Sequence, residues 1–548
     1  MCDQLRFDYL SCYGHKTLHT PHIDHLAGRG VKFTNAYVQS PVCGPSRMSA
    51  YTGRYVRSHG STQNSVPLRV GEPTLGEHLT DAGMRCALIG KTHMRPDIEG
   101  MKRLGIKPES MIGVRTAECG FEPFERDDGL HPCGQTSAEP QYNHYLRENG
   151  YDAESPWEYW ANSAEGEAGQ DLSGWLLCHA DKPARIPEPL SESAYMTQRA
   201  MAFIDSAETH GVPWCAHLSY IKPHWPYIAP APYHNMYGRN DIQPAIRSKA
   251  ELENPHPLYY AYTRMRYSQN MSRDETREIV IPAYMGLIKQ IDDQMGILFD
   301  YLEQKQLTQS TLIVFTSDHG DYLGDHWLGE KYLFHDVSAK VPLIICDPSA
   351  EADSTRGTTS NALVEMIDLA PTFLEYADGE PKPHILEGLS LTPLLHKRDN
   401  LWPRKVAFSE LDYSDEPLRL QLGRNPRDCQ STMAFDGRYK LIEAQGFRHM
   451  LFDLEADPDE LNDLGNDSEY EPHRIRLIDA INDWYRGARN RITVPDSSYT
   501  DVDNIIEIAD INLLAGGVKI GYWDESELKL EQEKVKALLK SKSVGEDR

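Results

Sequence analysis

The sequence is short of basic residues, and it lacks long hydrophobic runs, internal repeats and low-complexity tracts. Its 548 residues carry 56 Lys and Arg against 82 Asp and Glu, which gives a formal net charge of −26. Binding to nucleic acid or to anionic lipid needs clustered positive charge, so both kinds of partner are disfavoured. No run of about 18 apolar residues is present, which argues against a membrane-spanning helix. The composition therefore predicts a soluble, acidic protein of enzyme size.

The ten cysteines form no C-x-x-C pair, so a zinc ribbon or a thioredoxin-type site is not expected. Two of them, Cys86 and Cys346, lie in apolar runs that are typical of buried thiols in a reducing compartment. The first six residues also lack the basic stretch and the apolar core of a secretory signal. Together these features predict a cytoplasmic location.

Short apolar runs alternate with helical patterns along the first 350 residues or so, which is typical of a mostly parallel sheet covered by helices. Apolar residues recur at helical spacing over 191–204 and 283–302, with Ser191 or Ser193 as a possible N-cap of the first helix. The sequence thus indicates the α/β class. The predicted strands are 86–89, 213–219, 312–316 and 341–346.

Changes in composition and periodicity divide the chain into a large domain, 1–400, a small α+β domain, 401–490, and a charged tail, 491–548. Within the large domain, 95–187 is polar and weakly periodic. We interpret it as an elaborated insertion over the sheet edge, which forms either a wall of the substrate pocket or a solvated segment without a role. The tail is either an oligomerisation arm, which would make the protein a homo-oligomer (dimer or tetramer), or a frayed end.

Polar clusters follow three of the four predicted strands, at the sheet edge where open α/β sheets bind ligands. Taken singly, each cluster is better explained as an ordinary turn or a structural histidine. Their repeated position instead favours a site for a divalent cation and a tetrahedral oxyanion. Carboxylates favour Ca²⁺, Mg²⁺ or Mn²⁺, and an imidazole ligand shifts the preference towards Mn²⁺ or Zn²⁺. The clusters are Gly90-Lys91-Thr92-His93, Lys222-Pro223-His224-Trp225 and Ser317-Asp318-His319-Gly320-Asp321.

The most specific segment is Cys43-Gly44-Pro45-Ser46-Arg47, followed by Thr52-Gly53-Arg54. Pro45 suits the first turn of a helix, whose free N–H groups would face an anion and stabilise a thiolate at Cys43. A nucleophilic cysteine and an N-cap cysteine without a role are both compatible with that placement. Neither explains the whole Cys-x-Pro-Ser-Arg string, which resembles the signature by which type I sulfatases have their cysteine oxidised to formylglycine.

The resemblance to the sulfatase family extends over most of the chain, through several widely separated blocks. It implies membership of the alkaline phosphatase superfamily. The implied fold is a sandwich with a large mixed, mostly parallel sheet flanked by helices and a small C-terminal α+β subdomain. Further matching blocks are Asp3-Gln4-Leu5-Arg6-Phe7-Asp8, Gly90-Lys91-Thr92-His93, Tyr439-Lys440-Leu441-Ile442 and Leu451-Phe452-Asp453-Leu454.

The resemblance also implies roles for individual residues. Arg47 would hold the formylglycine hydrate and neutralise charge. Lys91 and His93 would lie on the side of the nucleophile, while His224 and Lys331 would contact sulfate or leaving-group oxygens. One divalent cation, with Ca²⁺ or Mn²⁺ favoured over Mg²⁺ or Zn²⁺, would be bound by Asp3, Gln4, Asp318, His319 and the formylglycine at position 43.

Two branches of the superfamily compete for the substrate. Asp3-Gln4 and Asp318-His319 resemble bacterial phosphonate monoester hydrolases, as does Gln63-Asn64-Ser65-Val66-Pro67, which implies that Asn64 contacts the substrate oxyanion. Lys91 and His93, in contrast, resemble the true sulfatases. We expect an arylsulfatase-like sulfate monoester hydrolase. The alternatives are a phosphonate monoester or phosphodiester hydrolase and a non-catalytic metal-binding relative whose Cys43 stays a thiol.

The implied partners are a small anionic ester and the formylglycine-generating enzyme that would convert Cys43, with no nucleic acid and no membrane. The N-terminus departs from the family, because relatives have an apolar strand of several residues before the position of Asp3. Here only Met1 and Cys2 precede it. Since missing ladder hydrogen bonds inside a sheet are costly, we expect that this start is internal to the natural gene product or that this version folds poorly.

Overall fold

A computed structural model describes residues 1–128, 139–487, 492–495, 523–527, 529–530, 533–534 and 537. Most of the tail 491–548, where the sequence analysis places a possible oligomerisation arm, lies outside these ranges. Among the described residues, no helix combines the length and the apolar character needed to cross a bilayer.

The described ranges contain fourteen strands. They are β1 Cys2–Asp3, β2 Val31–Tyr37, β3 Arg85–Gly90, β4 Glu122–Arg126, β5 Ser163–Glu165, β6 Asp171–Ser173, β7 Trp214–Pro223, β8 Ile313–Thr316, β9 Leu343–Cys346, β10 Thr358–Glu365, β11 Ala407–Asp412, β12 Gln430–Phe435, β13 Tyr439–Ala444 and β14 Met450–Asp453.

Eight of these strands form the main sheet as two four-stranded ladders, ordered β4-β3-β7-β1 and β8-β9-β2-β10. All pairs in the first ladder are parallel. In the second, β2 and β10 are parallel, whereas β9 runs antiparallel to both β2 and β8. A bridge between Cys2 and Ser317 joins the ladders at the end of β8. The predicted mixed, mostly parallel sheet is confirmed.

Helices cover the sheet, and residues 1–128 and 139–487 contain sixteen α-helices. They are α1 Pro21–Arg29, α2 Cys43–Thr52, α3 Val56–His59, α4 Leu75–Asp81, α5 Ile98–Leu104, α6 Met111–Thr116, α7 Gln141–Glu148, α8 Glu192–His210, α9 Pro257–Thr263, α10 Arg266–Met271, α11 Asp274–Gln304, α12 Asp336–Ala339, α13 Leu369–Tyr376, α14 Thr392–Leu395, α15 Leu418–Gln421 and α16 Glu471–Arg486.

The two helices predicted to cover the sheet are both present and both longer than predicted. Helix α11 buries Leu287 and Ile291 against the core, as their spacing indicates. It begins at Asp274 rather than at 283 because Pro282 is accommodated inside the helix, although proline usually breaks one. Helix α8 is capped at its N-terminus by Ser191, whose hydroxyl accepts a hydrogen bond from the Ala194 amide.

The segment 95–187 supplies one strand of the main sheet, whereas an insertion would lie outside the sheet. Its strand β4 is an edge strand of the main sheet and pairs with β3. Pro123 hides this strand in the sequence, since proline is tolerated in strands mainly at an edge. The remainder holds α5, α6, α7 and the β5–β6 hairpin. It also brings Trp175 to within 5.1 Å of the Trp225 ring centroid, beside one of the polar clusters.

Near the C-terminus, β11 to β14 form an antiparallel meander with α16 packed on it. Leu477 and Ile481 of the helix are buried in one cluster with Phe408 and Leu441 of the strands. The predicted C-terminal α+β unit is therefore present.

Strand β1 is short and lies between two longer strands. The Met1 ammonium donates a hydrogen bond to the Leu218 carbonyl of β7 at 2.8 Å. Beyond it, β7 and β8 line a cavity of about 770 Å³, together with apolar side chains such as Leu302 and Phe373.

Candidate active site

The carboxyl ends of β1, β3, β7 and β8 meet the N-terminus of α2 at one edge of the main sheet. A network of contacts there connects all the residues that the sequence analysis singles out, although their individual roles stay predictions. They are Asp3, Gln4, Cys43, Arg47, Asn64, Lys91, His93, His224, Asp318, His319 and Lys331.

Cys43 begins α2 and is fully buried at the centre of this network. Its Sγ lies 3.0 Å from both His319 Nε2 and Lys331 Nζ, and 3.8 Å from an Asp3 carboxylate oxygen. Burial alone would raise the pKa of the thiol. The nearby cations, with Lys331 the largest contributor, instead hold this pKa well below its ordinary value. The sulfur marks the place where an oxidised residue 43 would carry its oxygen atoms.

Four side chains offer ligand atoms that all lie within 4.8 Å of one another, namely Asp3, Cys43, Asp318 and His319. A hydrogen bond of 2.8 Å from His319 Nδ1 to the Gly320 carbonyl leaves the Nε2 lone pair directed at Cys43. Fixing one imidazole nitrogen in this way is typical of histidine ligands. Two carboxylates with one imidazole fit a divalent cation such as Ca²⁺, Mn²⁺ or Mg²⁺.

Gln4 joins this group through its amide oxygen. Its Nε2 donates a hydrogen bond of 2.5 Å to Asp321, which also accepts one from the Tyr227 hydroxyl. The orientation turns Gln4 Oε1 towards Lys331 Nζ, at 3.3 Å. Asp321 was given no role from the sequence, although it stands in the same strand-end cluster as Asp318.

Arg47 is fully buried and forms hydrogen bonds with the loops around the site. Its Nε donates to an Asp318 oxygen at 2.7 Å, and one terminal nitrogen donates to the Lys91 carbonyl and the Ser219 hydroxyl. Its other terminal nitrogen lies 3.7 Å from Asp3 and has no hydrogen-bond partner among the described residues. This leaves the two N–H groups of that nitrogen available beside Asp3.

Two buried lysines supply positive charge near Cys43. Lys91 forms a buried ion pair with Asp3, and the Asp3 pKa is held below its ordinary value. Burial would lower the pKa of Lys331, but Cys43 and the neighbouring carboxylates raise it above its ordinary value. Lys331 Nζ also lies 3.4 Å from His224 Nε2, and the opposite His224 nitrogen, Nδ1, bonds the Trp225 carbonyl. The site can therefore concentrate charge around a small anion.

Asn64 lies directly beside the start of α2. Its Oδ1 accepts a hydrogen bond from the Gly44 amide at 2.8 Å. A Cβ atom at position 44 would lie 2.8 Å from that oxygen and 3.2 Å from Asn64 Cα, so glycine is required there for close approach. The predicted contact of Asn64 with a substrate oxyanion would have to use its amide nitrogen.

Comparison with known proteins agrees with this geometry. A family model described as Sulfatase matches residues 1–379, and one described as N-sulphoglucosamine sulphohydrolase, C-terminal, matches 324–486. The chain is 33% identical over 480 residues to the multifunctional alkaline phosphatase superfamily protein PehA of Trinickia caryophylli, covering 83% of this chain and 87% of that one. It is 26% identical over 495 residues to an arylsulfatase of Clostridium perfringens, covering 86% and 90%.

The phosphonate monoester hydrolase SpPMH from Silicibacter pomeroyi is a similar solved structure. It superposes with a TM-score of 0.76 at 26% identity and covers 90% of this chain and 95% of that chain.

Proposed function

Because the chain belongs to the sulfatase family, and is thus a sulfuric ester hydrolase, we propose that it cleaves sulfate monoesters of the arylsulfatase type with a formylglycine made from Cys43. The observation that carries the proposal is the surroundings of Cys43. A buried side chain at the start of a helix, with Lys331, His319 and Lys91 around it, is where the negatively charged sulfate group of an ester would be stabilised.

In this proposal, a hydrated formylglycine at position 43 carries two hydroxyl groups on one carbon. One hydroxyl group gives its proton to the Asp3 carboxylate, which lies 3.8 Å from the Cys43 sulfur, and its oxygen bonds to sulfur while the bond from sulfur to the leaving alcohol breaks. Lys331 and Arg47 offset charge on the sulfate oxygens, and His224 donates a proton to the leaving oxygen. His93 then removes the proton of the second hydroxyl, so that the carbon–oxygen bond to sulfate breaks and an aldehyde forms.

The cation would be held by Asp3, Gln4, Asp318 and His319. When bound, it supplies positive charge that stabilises the anionic transition state. The oxygen-rich ligand set supports Ca²⁺ or Mn²⁺, with Mg²⁺ or Zn²⁺ as alternatives.

A second candidate is the hydrolysis of phosphonate monoesters or phosphodiesters, as main or side activity. It is favoured by Gln4 and His319 at the cation site, by Asn64 beside residue 43, and by the similarity to phosphonate monoester hydrolases. Lys91 and His93 favour sulfate. A non-catalytic relative is the least favoured alternative, since the ligand and charge positions are all occupied.

Several features of this proposal rest on the sequence. They are a cytoplasmic location, conversion of Cys43 by a formylglycine-generating enzyme, and assembly into a homo-oligomer through the tail 491–548. The net charge of −26 supports the proposed absence of nucleic-acid and membrane partners.

The first experiment is the mass of the peptide that carries residue 43, in protein made with a formylglycine-generating enzyme. We expect an aldehyde, and we expect Cys43→Ala to abolish turnover. An unmodified thiol in fully active protein would refute the mechanism. Turnover of an aryl sulfate, an aryl phosphonate monoester and an aryl phosphodiester is then compared, and a sulfate rate lower by orders of magnitude would favour the second candidate.

A further inference from the structure

The backbone at His93 has a left-handed conformation, with a φ of 55°, which is uncommon for a residue other than glycine. The two amides that enter this turn, those of Thr92 and His93, both donate hydrogen bonds to one carboxylate oxygen of Asp128, at 3.1 and 3.0 Å. A single side chain therefore holds the backbone on which His93 is carried. No role for Asp128 follows from the sequence motifs.

Asp128 is itself fixed by a closed set of ion pairs. Its second oxygen accepts hydrogen bonds from Arg126 Nε and from a terminal Arg126 nitrogen, at 3.0 and 2.7 Å. The other terminal nitrogen of Arg126 pairs with Glu118 at 2.5 Å, and Glu118 accepts a hydrogen bond from the Thr92 hydroxyl at 3.0 Å. Burial would raise the pKa of Asp128, but Arg126 lowers it to about 2, so the carboxylate is charged at neutral pH.

The network is anchored in the sheet. Arg126 is the last residue of β4 and is paired with Gly90, the last residue of β3. Asp128 follows one strand end, and Lys91, Thr92 and His93 follow the other. The carboxylate thus ties together the two loops that leave neighbouring strands at the edge of the site.

The imidazole held in this way interacts with Cys43, and its Nδ1 has no hydrogen-bond partner among the described residues. Among the described residues, no group bonds Nδ1, so the backbone sets the orientation of His93. On the basis of the proposed function, we propose that Asp128 is a positioning residue, which holds His93 where it takes the proton from the second hydroxyl of residue 43.

The step that depends on this placement is the release of sulfate. The O–H proton moves to His93, the oxygen electrons form the aldehyde C=O bond, and the carbon–oxygen bond to sulfate breaks. Sulfate leaves with that electron pair, and water later restores the hydrate. Cleavage of the substrate comes earlier and does not need this proton transfer.

The test is Asp128→Asn, which keeps the shape of the side chain and an amide oxygen but loses the charge that fixes Arg126. We expect kcat to fall by about tenfold or more, while kcat/KM changes less than about twofold, because kcat/KM reports only steps up to loss of the alcohol. During turnover, the peptide that carries residue 43 should accumulate with the extra mass of one SO₃ group. Hydrogen exchange of the Thr92 and His93 amides should become faster.

Asp453, the last residue of β14, offers a similar control, because it too accepts hydrogen bonds from one arginine and from two backbone amides, although its arginine bonds both carboxylate oxygens. We expect Asp453→Asn to leave the ratio of kcat to kcat/KM unchanged. If Asp128→Asn is poorly folded, Arg126→Lys keeps the positive charge but loses the paired hydrogen bonds to Asp128, and it should shift the kinetic parameters in the same direction by a smaller factor.

Equal losses of kcat and kcat/KM, or an unchanged kcat with faster amide exchange, would overturn the role of Asp128 and leave the proposed function intact. A wild-type protein with an aldehyde at residue 43 but no turnover of any ester would instead refute the proposed function and, with it, the inference. The two failures are therefore distinguishable.

Discussion

At the scale of single residues, the orientation of an amide decides what Gln4 can offer to a cation. An amide has one end that accepts and one that donates, and the two differ little in shape. The Asp321 carboxylate accepts from Gln4 Nε2, which leaves only the oxygen directed at the site. The Tyr227 hydroxyl, bonded to the same carboxylate oxygen at 2.9 Å, helps to hold Asp321 in place.

We expect Asp321→Asn to weaken divalent-cation binding by roughly 10- to 100-fold, which is typical for the loss of a residue that orients a ligand. An asparagine can bond either end of the Gln4 amide, so the nitrogen would face the cation in part of the molecules. Calorimetric titration of metal-free protein with Ca²⁺ and Mn²⁺ measures the effect. Tyr227→Phe, which keeps the carboxylate, is the control and should lose less; equal losses for both variants would contradict this explanation.

The candidate site was largely predictable from the sequence, because its residues follow strands or stand in one recognisable string. The Lys91 and Asp318 clusters each come directly after a run of apolar residues. The supporting residues were not predictable in the same way. Asp128 and Asp321 act through hydrogen bonds whose direction depends on the tertiary structure, and aspartate in a loop is too common to single them out.

At the scale of elements, the sequence likewise predicts some strands and helix boundaries and misses others. The short apolar runs predict β3, β7, β8 and β9. They do not predict β2 and β10, which contain several polar residues, or β4, which contains Pro123. The helix α11 was predicted too short, since Pro282 has the sequence signature of a helix boundary. In both cases packing against neighbouring elements outweighs the local preference.

In the described part of the chain, the cavity lined by β7 and β8 leaves part of β7 without a partner strand on one side. Residues 214–218 of β7 pair with β3 on one side. On the other side, β1 pairs with Tyr220 and Pro223, and no strand of the described structure pairs with residues 214–218. The Met1 ammonium is buried, and burial lowers its pKa, so a charge is held there at a cost.

We expect five alternating Val and Ile residues, added before Met1, to raise the free energy of unfolding by about 3 kcal/mol. Burying these side chains contributes about 1.5–3 kcal/mol each, which exceeds the cost of ordering them. The extension would also replace the buried charge by a neutral peptide bond. Urea unfolding measures the gain against an extension of five Gly and Ser residues, and equal stability of the two proteins would count against this prediction.

At the scale of the whole molecule, a buried lysine joins the C-terminal sheet to the large domain. Lys440 of β13 is fully buried and pairs with Asp336 at 2.6 Å and with Glu460 at 2.7 Å. It also donates to the carbonyl of Phe334, which follows Lys331 closely in the chain. Burial would raise the pKa of Asp336, but Lys340 and Lys440 hold it below its ordinary value. The C-terminal unit therefore supports the segment that carries Lys331.

We expect Lys440→Met to lower the free energy of unfolding by about 3–5 kcal/mol, because two buried carboxylates lose the cation between them. Their pKa values then rise, so stability should fall further as the pH increases from about 5 to about 8 and these groups lose their protons. Adding Glu460→Gln removes one of the two charges and should restore part of the loss. Denaturant unfolding of both single variants and the double variant measures the coupling energy. Additive effects, or a loss independent of pH, would show that Lys440 contributes through its packing alone, and that the charges do not couple the C-terminal sheet to the segment of Lys331.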